Sequence, residues 1–465
     1  MNLVPTELEA ILRQTPELRR AYLVGGCVRD ALTGLPPGKD FDVEVFGVDY
    51  DQLIAALSRW GRTGLVGRSF GVVKLSTGSG RSYDFTLPRK DSKVGPGHKG
   101  FDVAFDPAIS PREAAARRDF TINSIMYDAR AGEVLDFFGG LADVRGRILR
   151  HTSAAFSEDP LRVLRGMQFA GRFELRAAPE TVELARRMKG SFGELAVERV
   201  REEWFKWAQL SRLPSAGLNF LAQTEWIDHF PEIKALMGTP QEPEWHPEGD
   251  VFIHTCHCCD ALARLPAWRE ADAESKAVYM LAVLAHDFGK PATTHRAIKD
   301  GRERIISPGH ETAGAGLARS FLERIRAPLA VGQRVVPLVQ NHLFHLESVS
   351  DCAVRRLARR LAPATIEGLS LVMTADGMGR PPRPATTPEN VKTLLRRAHE
   401  LEVRQEPPPP ILRGRHLLAL GLTPGRRLGE IVDKAYEAQL EGTFADLEGA
   451  LRWAADELKS DTRPD

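Results

Sequence analysis

Cysteine is scarce in this chain, with five residues in 465: Cys27, Cys256, Cys258, Cys259 and Cys352. The opening MNLVPTELEAILRQ lacks a basic segment followed by an apolar stretch, so no secretory leader is expected. Together these exclude a disulfide framework and point to a reducing compartment, the cytoplasm. Apolar runs long enough to span a bilayer are missing too, so no membrane partner is expected. Net charge is nearly absent: 63 Lys and Arg against 62 Asp and Glu leave a formal +1. Any surface for nucleic acid must therefore be local. There is no internal repeat of solenoid length. What is present is an ordinary soluble composition, 43% hydrophobic and 27% charged. Its length calls for roughly two to four domains.

Along the chain the pattern changes once. AYLVGG, FDVEVFG, GVVKLST, SYDFTL and VLDFF read as strands, while VRDALTG and YDQLIAALSRW read as helices. This is a small α/β domain, a mixed sheet with helices, assigned to residues 1–150. From about residue 155 strand signals nearly vanish, and amphipathic helical stretches dominate. The expected division is a helical neck over 151–240, a second helical domain over 241–400 and a short helical module over 411–465. EPPPP, ending at Pro410, reads as an extended linker.

The stretch GKDFDVEVFG places Asp40 and Asp42 one residue apart on an expected strand, on one face. Upstream, YLVGGCVRD gives a strand, Gly25 and Gly26, then a helix start carrying Arg29. Glycine backbone and a helix N-terminus suit a phosphate. Paired carboxylates facing it suit Mg²⁺, which takes hard oxygen ligands and completes its octahedron with water and phosphate. An exposed acidic edge strand is the alternative. Asp84, in SYDFTLPR, follows strand alternation and either joins the metal or caps a turn. In SEDPLRVLRGMQF, Asp159, Arg162 and Arg165 recur every third residue along one helical face. A carboxylate beside guanidinium donors can pair with a base edge; a solvated intrahelical ion pair is the plain alternative.

G-G-x-V-R-D followed by D-x-D resembles the class II nucleotidyltransferase head of tRNA nucleotidyltransferases (CCA-adding enzymes) and bacterial poly(A) polymerases. ARRDFTINSIMYD, DFFGGLADVRGRILR, SEDPLRVLRGMQFAGRF and ERVREE continue the likeness in family order over the first 210 or so residues. The resemblance implies template-independent addition of CCA to tRNA from CTP and ATP, with Mg²⁺ at Asp40 and Asp42. It implies a triphosphate cradle at Gly26 and Arg29, base selection by Asp159 and Arg162, and nucleotide contacts from Arg118 and Arg165. Glu158, in the same motif, is a further candidate. Gln168 stands where the family has arginine, which leaves full CCA addition and A-only addition both open. The segment RKDSKVGPGHKGFDVAFDPAISP reads as a mobile basic loop of full family length, against a CC-only enzyme.

Downstream, His254, His286, Asp287, His310, His342 and Asp376 are spread over several expected helices and can converge on one divalent ion. The order H…HD…H…H…D resembles HD-domain phosphohydrolases, and HPEGDVFIHT resembles the junction in bacterial multifunctional CCA enzymes. The likeness implies a transition-metal site, Ni²⁺ or Mn²⁺ among the options, at His254, His286, Asp287 and Asp376, with His310 and His342 as further candidates. CHCC lacks a second ligand pair, so its cysteines read as small buried helix residues. His257 and His345 read as neighbours or core histidines. The basic stripe CAVRRLARRLAP and the pair Arg426 and Arg427 suit the backbone of a folded RNA, or a solvated face. A monomer or weak homo-oligomer is expected. The rival reading makes the head a tRNA-binding scaffold and hydrolysis the main task.

Overall fold

The computed structural model describes residues 4–34, 38, 40–65, 71–93, 101–344 and 350–460. His345 lies outside them. They divide into two compact units, Met1–Phe230 and Pro231–Asp465.

In the first unit, alternating apolar and polar runs form β1 (Ala21–Val24), β2 (Asp42–Val45), β3 (Gly61–Leu65), β4 (Val72–Thr77) and β5 (Ser82–Thr86). A hairpin of β6 (Arg89–Lys93) and β7 (Phe101–Phe105) follows, then β8 (Met126–Asp128) and β9 (Glu133–Leu135). The hairpin corrects the reading of this segment as a loop throughout: both arms carry regular antiparallel pairing. The main sheet has the order β3-β4-β5-β2-β1-β8-β9. Only β2 and β5 pair in parallel, which sets Asp42 beside Asp84. Val43, Val45, Val73, Leu75 and Phe85 bury one face against Leu8 and Ile11 of the helix Thr6–Gln14 and Leu53 and Leu57 of the helix Tyr50–Leu57. The latter opens on a capping box between Asp49 and Gln52.

After a short parallel pair, β10 (Ile148–Leu149) and β11 (Arg176–Ala177), the unit is helical. The helix Leu161–Phe173 packs on Val197–Leu210 and Pro214–Gln223. Trp204 and Trp207 are fully buried there, and the Trp207 indole N–H donates to the Pro214 carbonyl at 3.1 Å.

In the second unit the helix Ala273–Ala285 is buried along almost its whole length, as its nearly unbroken apolar sequence requires. The helices Val251–Arg264, Leu329–Asn341 and Ile366–Met378 pack against it. Asp250 caps the first of these by accepting from Ile253 N at 2.9 Å. A hairpin of β12 (His295–Lys299) and β13 (Arg302–Ile306) interrupts the helical pattern. Its turn is Asp300-Gly301, both at positive φ (54° and 72°), the favoured chemistry for a tight hairpin.

The C-terminal helices share a core of Leu417, Ile431, Ala435, Phe444, Ala450 and Ala454. The proline segment before them is docked: Tyr436 Oη donates to the Pro408 carbonyl at 2.6 Å, and Gln439 Nε2 to that of Pro409 at 2.9 Å. The stripe CAVRRLARRLAP, read as a basic RNA surface, is instead largely committed within the protein. Its helix, Asp351–Leu361, directs Arg356 to Glu437 and Glu441 at 3.0 and 2.6 Å, and Arg359 to Glu437. Among the described residues no helix is long and apolar enough to cross a membrane.

Candidate active site and metal centre

The head site is built at the sheet edge where β1 ends. Gly25 sits at φ 72°, a left-handed conformation that glycine adopts without strain. A Cβ there would stand 3.5 Å from Arg118 Nη1 and 3.8 Å from Asp42 Oδ2, so its absence leaves that space open. β2 begins at Asp42, and Asp40 precedes the strand, exposed. The carboxylates sharing a register are thus Asp42 and Asp84, on neighbouring strands, rather than Asp40 and Asp42 on one pleat. Asp42 is exposed at the strand start but loses water to the protein atoms around it. That desolvation, with the charges of Asp84 and Asp40, pushes its carboxyl above the ordinary range, while Arg118 pulls the other way. Asp84 Oδ1 is buried without a hydrogen-bond partner, Lys74 Nζ lying 3.8 Å away. Crowded oxygens of one sign, one of them without a hydrogen bond, are a donor set that fits a hard divalent cation.

Beside them opens a cleft of about 440 Å³, lined by Glu44, Arg117, Arg118, Asp119, Asp159, Arg162, Arg165 and Arg199 among others. Its arginines are held in place. Arg118 pairs with Glu44 at 3.0 Å and Arg165 with buried Asp119 at 2.7 Å. Arg162 donates to the carbonyls of Ala155 (2.5 Å) and Arg117 (2.7 Å). Asp159 precedes the helix Leu161–Phe173: one oxygen accepts from Leu161 N at 3.0 Å, the other from Arg199 Nη2 at 3.0 Å. The intrahelical ion pair weighed from the every-third-residue spacing therefore does not form. The guanidinium on Asp159 comes from Arg199 in another helix, Arg165 turns to Asp119, and Asp159 keeps a lone pair on each oxygen.

In the helical unit, His286, His310 and His342 follow one rule. Each Nδ1 hydrogen-bonds the carbonyl three residues earlier, Val283, Ser307 and Val339, at 2.7, 2.6 and 2.7 Å. That fixes the tautomer with Nε2 bare, and the three Nε2 atoms converge on Asp287 at 3.3, 3.3 and 3.9 Å. Nε2 of His286 and of His310 is buried with no hydrogen-bond partner. His254 differs: Glu248 takes its Nδ1 at 2.7 Å, and its Nε2 faces Asp376 at 3.1 Å and Asp287 at 3.8 Å. Burial pushes the Asp287 carboxyl up, but His286 and Lys290 more than offset it, and it stays well below the usual range. Asp376 is held well down against its burial by Arg380 and His254. Burial, with His286, brings His342 down to about 3, so its ring is neutral, as a ligand must be. Buried imidazoles, carboxylates and orphaned Nε2 atoms fit a borderline transition metal. Gly289 permits the geometry, since a Cβ there would overlap the His310 carbonyl and so keep the His-Asp turn from closing on the helix His310–Arg324.

Two family models match the chain: the Poly A polymerase head domain over residues 21–150 and the HD domain over 251–378. The multifunctional CCA protein of Xanthomonas campestris pv. campestris (strain B100) is 38% identical over 378 residues, 78% of this chain and 85% of that one. That of Xanthomonas oryzae pv. oryzae (strain MAFF 311018) is 36% identical over 429 residues, 90% and 97%. The chain belongs to the multifunctional CCA protein family. A solved structure of the Bacillus stearothermophilus CCA-adding enzyme in complex with CTP shares the fold, with TM-score 0.65 at 20% identity, covering 98% of this chain and 99% of that one.

Within this family framework, the described structure brings Arg118, Asp159, Arg162 and Arg165 into one cleft and Asp40, Asp42 and Asp84 to one strand end. It places other candidates elsewhere. Arg29 is buried: its guanidinium binds Asn123 at 2.6 Å and Asp30 at 2.6 Å, and lies 4.3 Å over the Phe173 ring. Its guanidinium stays beside Gly26, 3.5 Å from where a Cβ there would stand, but these partners hold it in a different cleft. Gly26 is the first residue of the helix that carries Arg29, and Gly25 is the glycine that faces Asp42. Gln168 is buried with Oε1 unpartnered and is not among the cleft residues. Glu158 stays at the rim, 3.9 Å from Arg117. Sequence reasoning missed Arg117, Asp119 and Arg199, although RRDFT and ERVREE contain them. It also missed Glu248, Lys290 and Cys258 beside the histidines. Lys290 Nζ lies 2.7 Å from Asp287, three residues on, a spacing that was there to be read.

Proposed function

We propose that the chain is a template-independent tRNA nucleotidyltransferase that builds the 3′-terminal CCA from CTP and ATP, releasing pyrophosphate, and that it also hydrolyses phosphoesters at its histidine centre. The observation that carries the first activity is the Asp42–Asp84 pair on the same sheet face as Glu44 and Thr86, which line the arginine-rich cleft. A divalent cation such as Mg²⁺, held by Asp42 and Asp84 with Asp40 beside them, would supply positive charge at the attacking 3′-hydroxyl and the leaving pyrophosphate. Arg118 offers its guanidinium to the phosphates, next to the space that Gly25 leaves open. Asp159 presents acceptors, and Arg162, locked by two carbonyls, presents donors, so the pair imitates a complementary base edge. Positioning and charge stabilisation then do the chemistry.

Residues 1–150 are the catalytic head in this reading, 151–240 the neck, 241–400 the hydrolase and 411–465 a tRNA-contacting tail. Arg426, exposed in the tail, would meet RNA phosphate. At the histidine centre, His254, His286, Asp287 and Asp376, with His310 and His342, would hold an ion such as Ni²⁺ or Mn²⁺. A compartment containing tRNA and nucleoside triphosphates, the cytoplasm, is its place of work. The test is extension of tRNA lacking its 3′ end with CTP, ATP or both. Two C and one A, then arrest, is the expected product. Untemplated A runs on any RNA would make it a poly(A) polymerase, and A addition only to CC-ended tRNA an A-adding enzyme.

A further inference from the structure

Cys258 stands in the histidine centre by helical spacing. It lies four residues after His254 on the helix Val251–Arg264, hence on the same face. Its Sγ is 3.3 Å from His254 Nε2, and His254, Cys258, His286 and Asp376 each offer one ligand atom within 4.8 Å of the others. Cys258 and His254 are wholly inaccessible to solvent, and His286, 1% exposed, aims an unpartnered Nε2 into the group. The backbone at Gly379, three residues after Asp376, closes over the sulfur, where a Cβ would overlap Sγ. A thiolate about 2.3 Å and an imidazole nitrogen about 2.0 Å from one tetrahedral ion stand about 3.5 Å apart. The observed sulfur–nitrogen spacing is close to that. The 3.1 Å between His254 Nε2 and Asp376 Oδ1 also matches two donors sharing an ion. Cys256 and Cys259 are buried on the same helix but belong to no such group.

We propose that Cys258 supplies a thiolate ligand to the ion held by His254, His286 and Asp376, which biases this centre toward thiophilic ions of the zinc, cobalt or nickel kind and away from magnesium. The inference rests on reading the histidine cluster as a metal centre. On ligation the S–H bond breaks, a sulfur–metal bond forms and one proton leaves to solvent. A soft donor among imidazoles and a carboxylate changes the preferred metal.

The test is spectroscopic. The full chain, stripped of metal with a chelator, is titrated with Co²⁺ under anaerobic conditions. The expected spectrum has visible d–d bands of bound Co²⁺ together with an intense near-ultraviolet sulfur-to-cobalt charge-transfer band. Cys258→Ser should lose the near-ultraviolet band and keep the visible ones, whereas Cys256→Ser and Cys259→Ser should keep both. Visible bands without the near-ultraviolet band in the unaltered chain would leave the metal centre standing and overturn the thiolate ligand. No Co²⁺ spectrum at all would overturn the metal reading and the ligand with it. Because the unaltered chain alone discriminates, misfolding of a variant does not shelter the proposal.

Discussion

The two candidate centres use the same residue types in opposite ways. In the head, carboxylates sit beside a cleft lined with arginines, Asp40 and Asp42 exposed and Asp84 Oδ1 without a hydrogen-bond partner. In the helical unit, Asp287 and the imidazoles are buried and each ring is oriented by its own backbone carbonyl or by Glu248. The head is therefore a place where charge arrives with a substrate, since a triphosphate brings both the anion and part of the ion's coordination shell. The histidine centre is complete before any substrate comes. Its ring orientations are preorganised, and its unpartnered Nε2 atoms are left for an ion.

Substitutions that touch one centre should spare the other. Asp42→Asn should lower nucleotide addition about 1,000-fold while leaving phosphoester hydrolysis unchanged, measured by tRNA extension and by hydrolysis of a 2′,3′-cyclic nucleotide. Equal loss of both activities would break the comparison. Asp287→Asn should abolish hydrolysis and release bound metal, read by elemental analysis, while nucleotide addition stays within about twofold, because three imidazoles lose their common acidic partner.

A smaller effect concerns the wall between sheet and neck. Burial raises the Asp119 carboxyl, but Arg165 and Asn123 more than offset it, so its value in the folded protein lies below the ordinary one. The unfolded state thus binds the proton more readily. The stability from this pair is present above the unfolded value near pH 4 and is lost as pH falls through the folded value. Asp119→Asn should cost about 2 kcal/mol at pH 7 and flatten the acid limb of Tm against pH. An unchanged acid limb would show that the pair carries no such coupling. Least of all, Arg426→Ala breaks only an exposed pair with Glu430 and should change stability by less than about 0.5 kcal/mol, read by urea denaturation.

Much of this was legible in the residues, for particular reasons. Strand alternation in GVVKLST and SYDFTL is a local pattern, so the sheet could be read from it. The His-Asp doublet after an apolar helix likewise announced a buried centre. Sheet order was not legible: that β5 joins β2 in parallel is a long-range pairing, and it sets Asp84 beside Asp42 as well. The packing of Arg29 was not legible, because a charged residue after two glycines looks like an exposed anion clamp. Packing instead sandwiches it between Asn123, Asp30 and Phe173. The pairing of Arg356 and Arg359 in CAVRRLARRLAP was hidden in the same way, because their acidic partners lie some eighty residues on, in another helix. The Asp300-Gly301 hairpin had a clear local signal that the surrounding helical pattern masked.

The central claim is that Asp42 and Asp84 hold the ion that joins nucleotide to RNA end. Anomalous diffraction from crystals grown with CTP and Mn²⁺ addresses it directly. The account predicts an anomalous peak within coordination distance of both carboxylates, a triphosphate beside Arg118, and the base against Asp159 and Arg162. Well-ordered CTP with no ion at those oxygens, or with its base outside the Asp159–Arg162 wall, would contradict it.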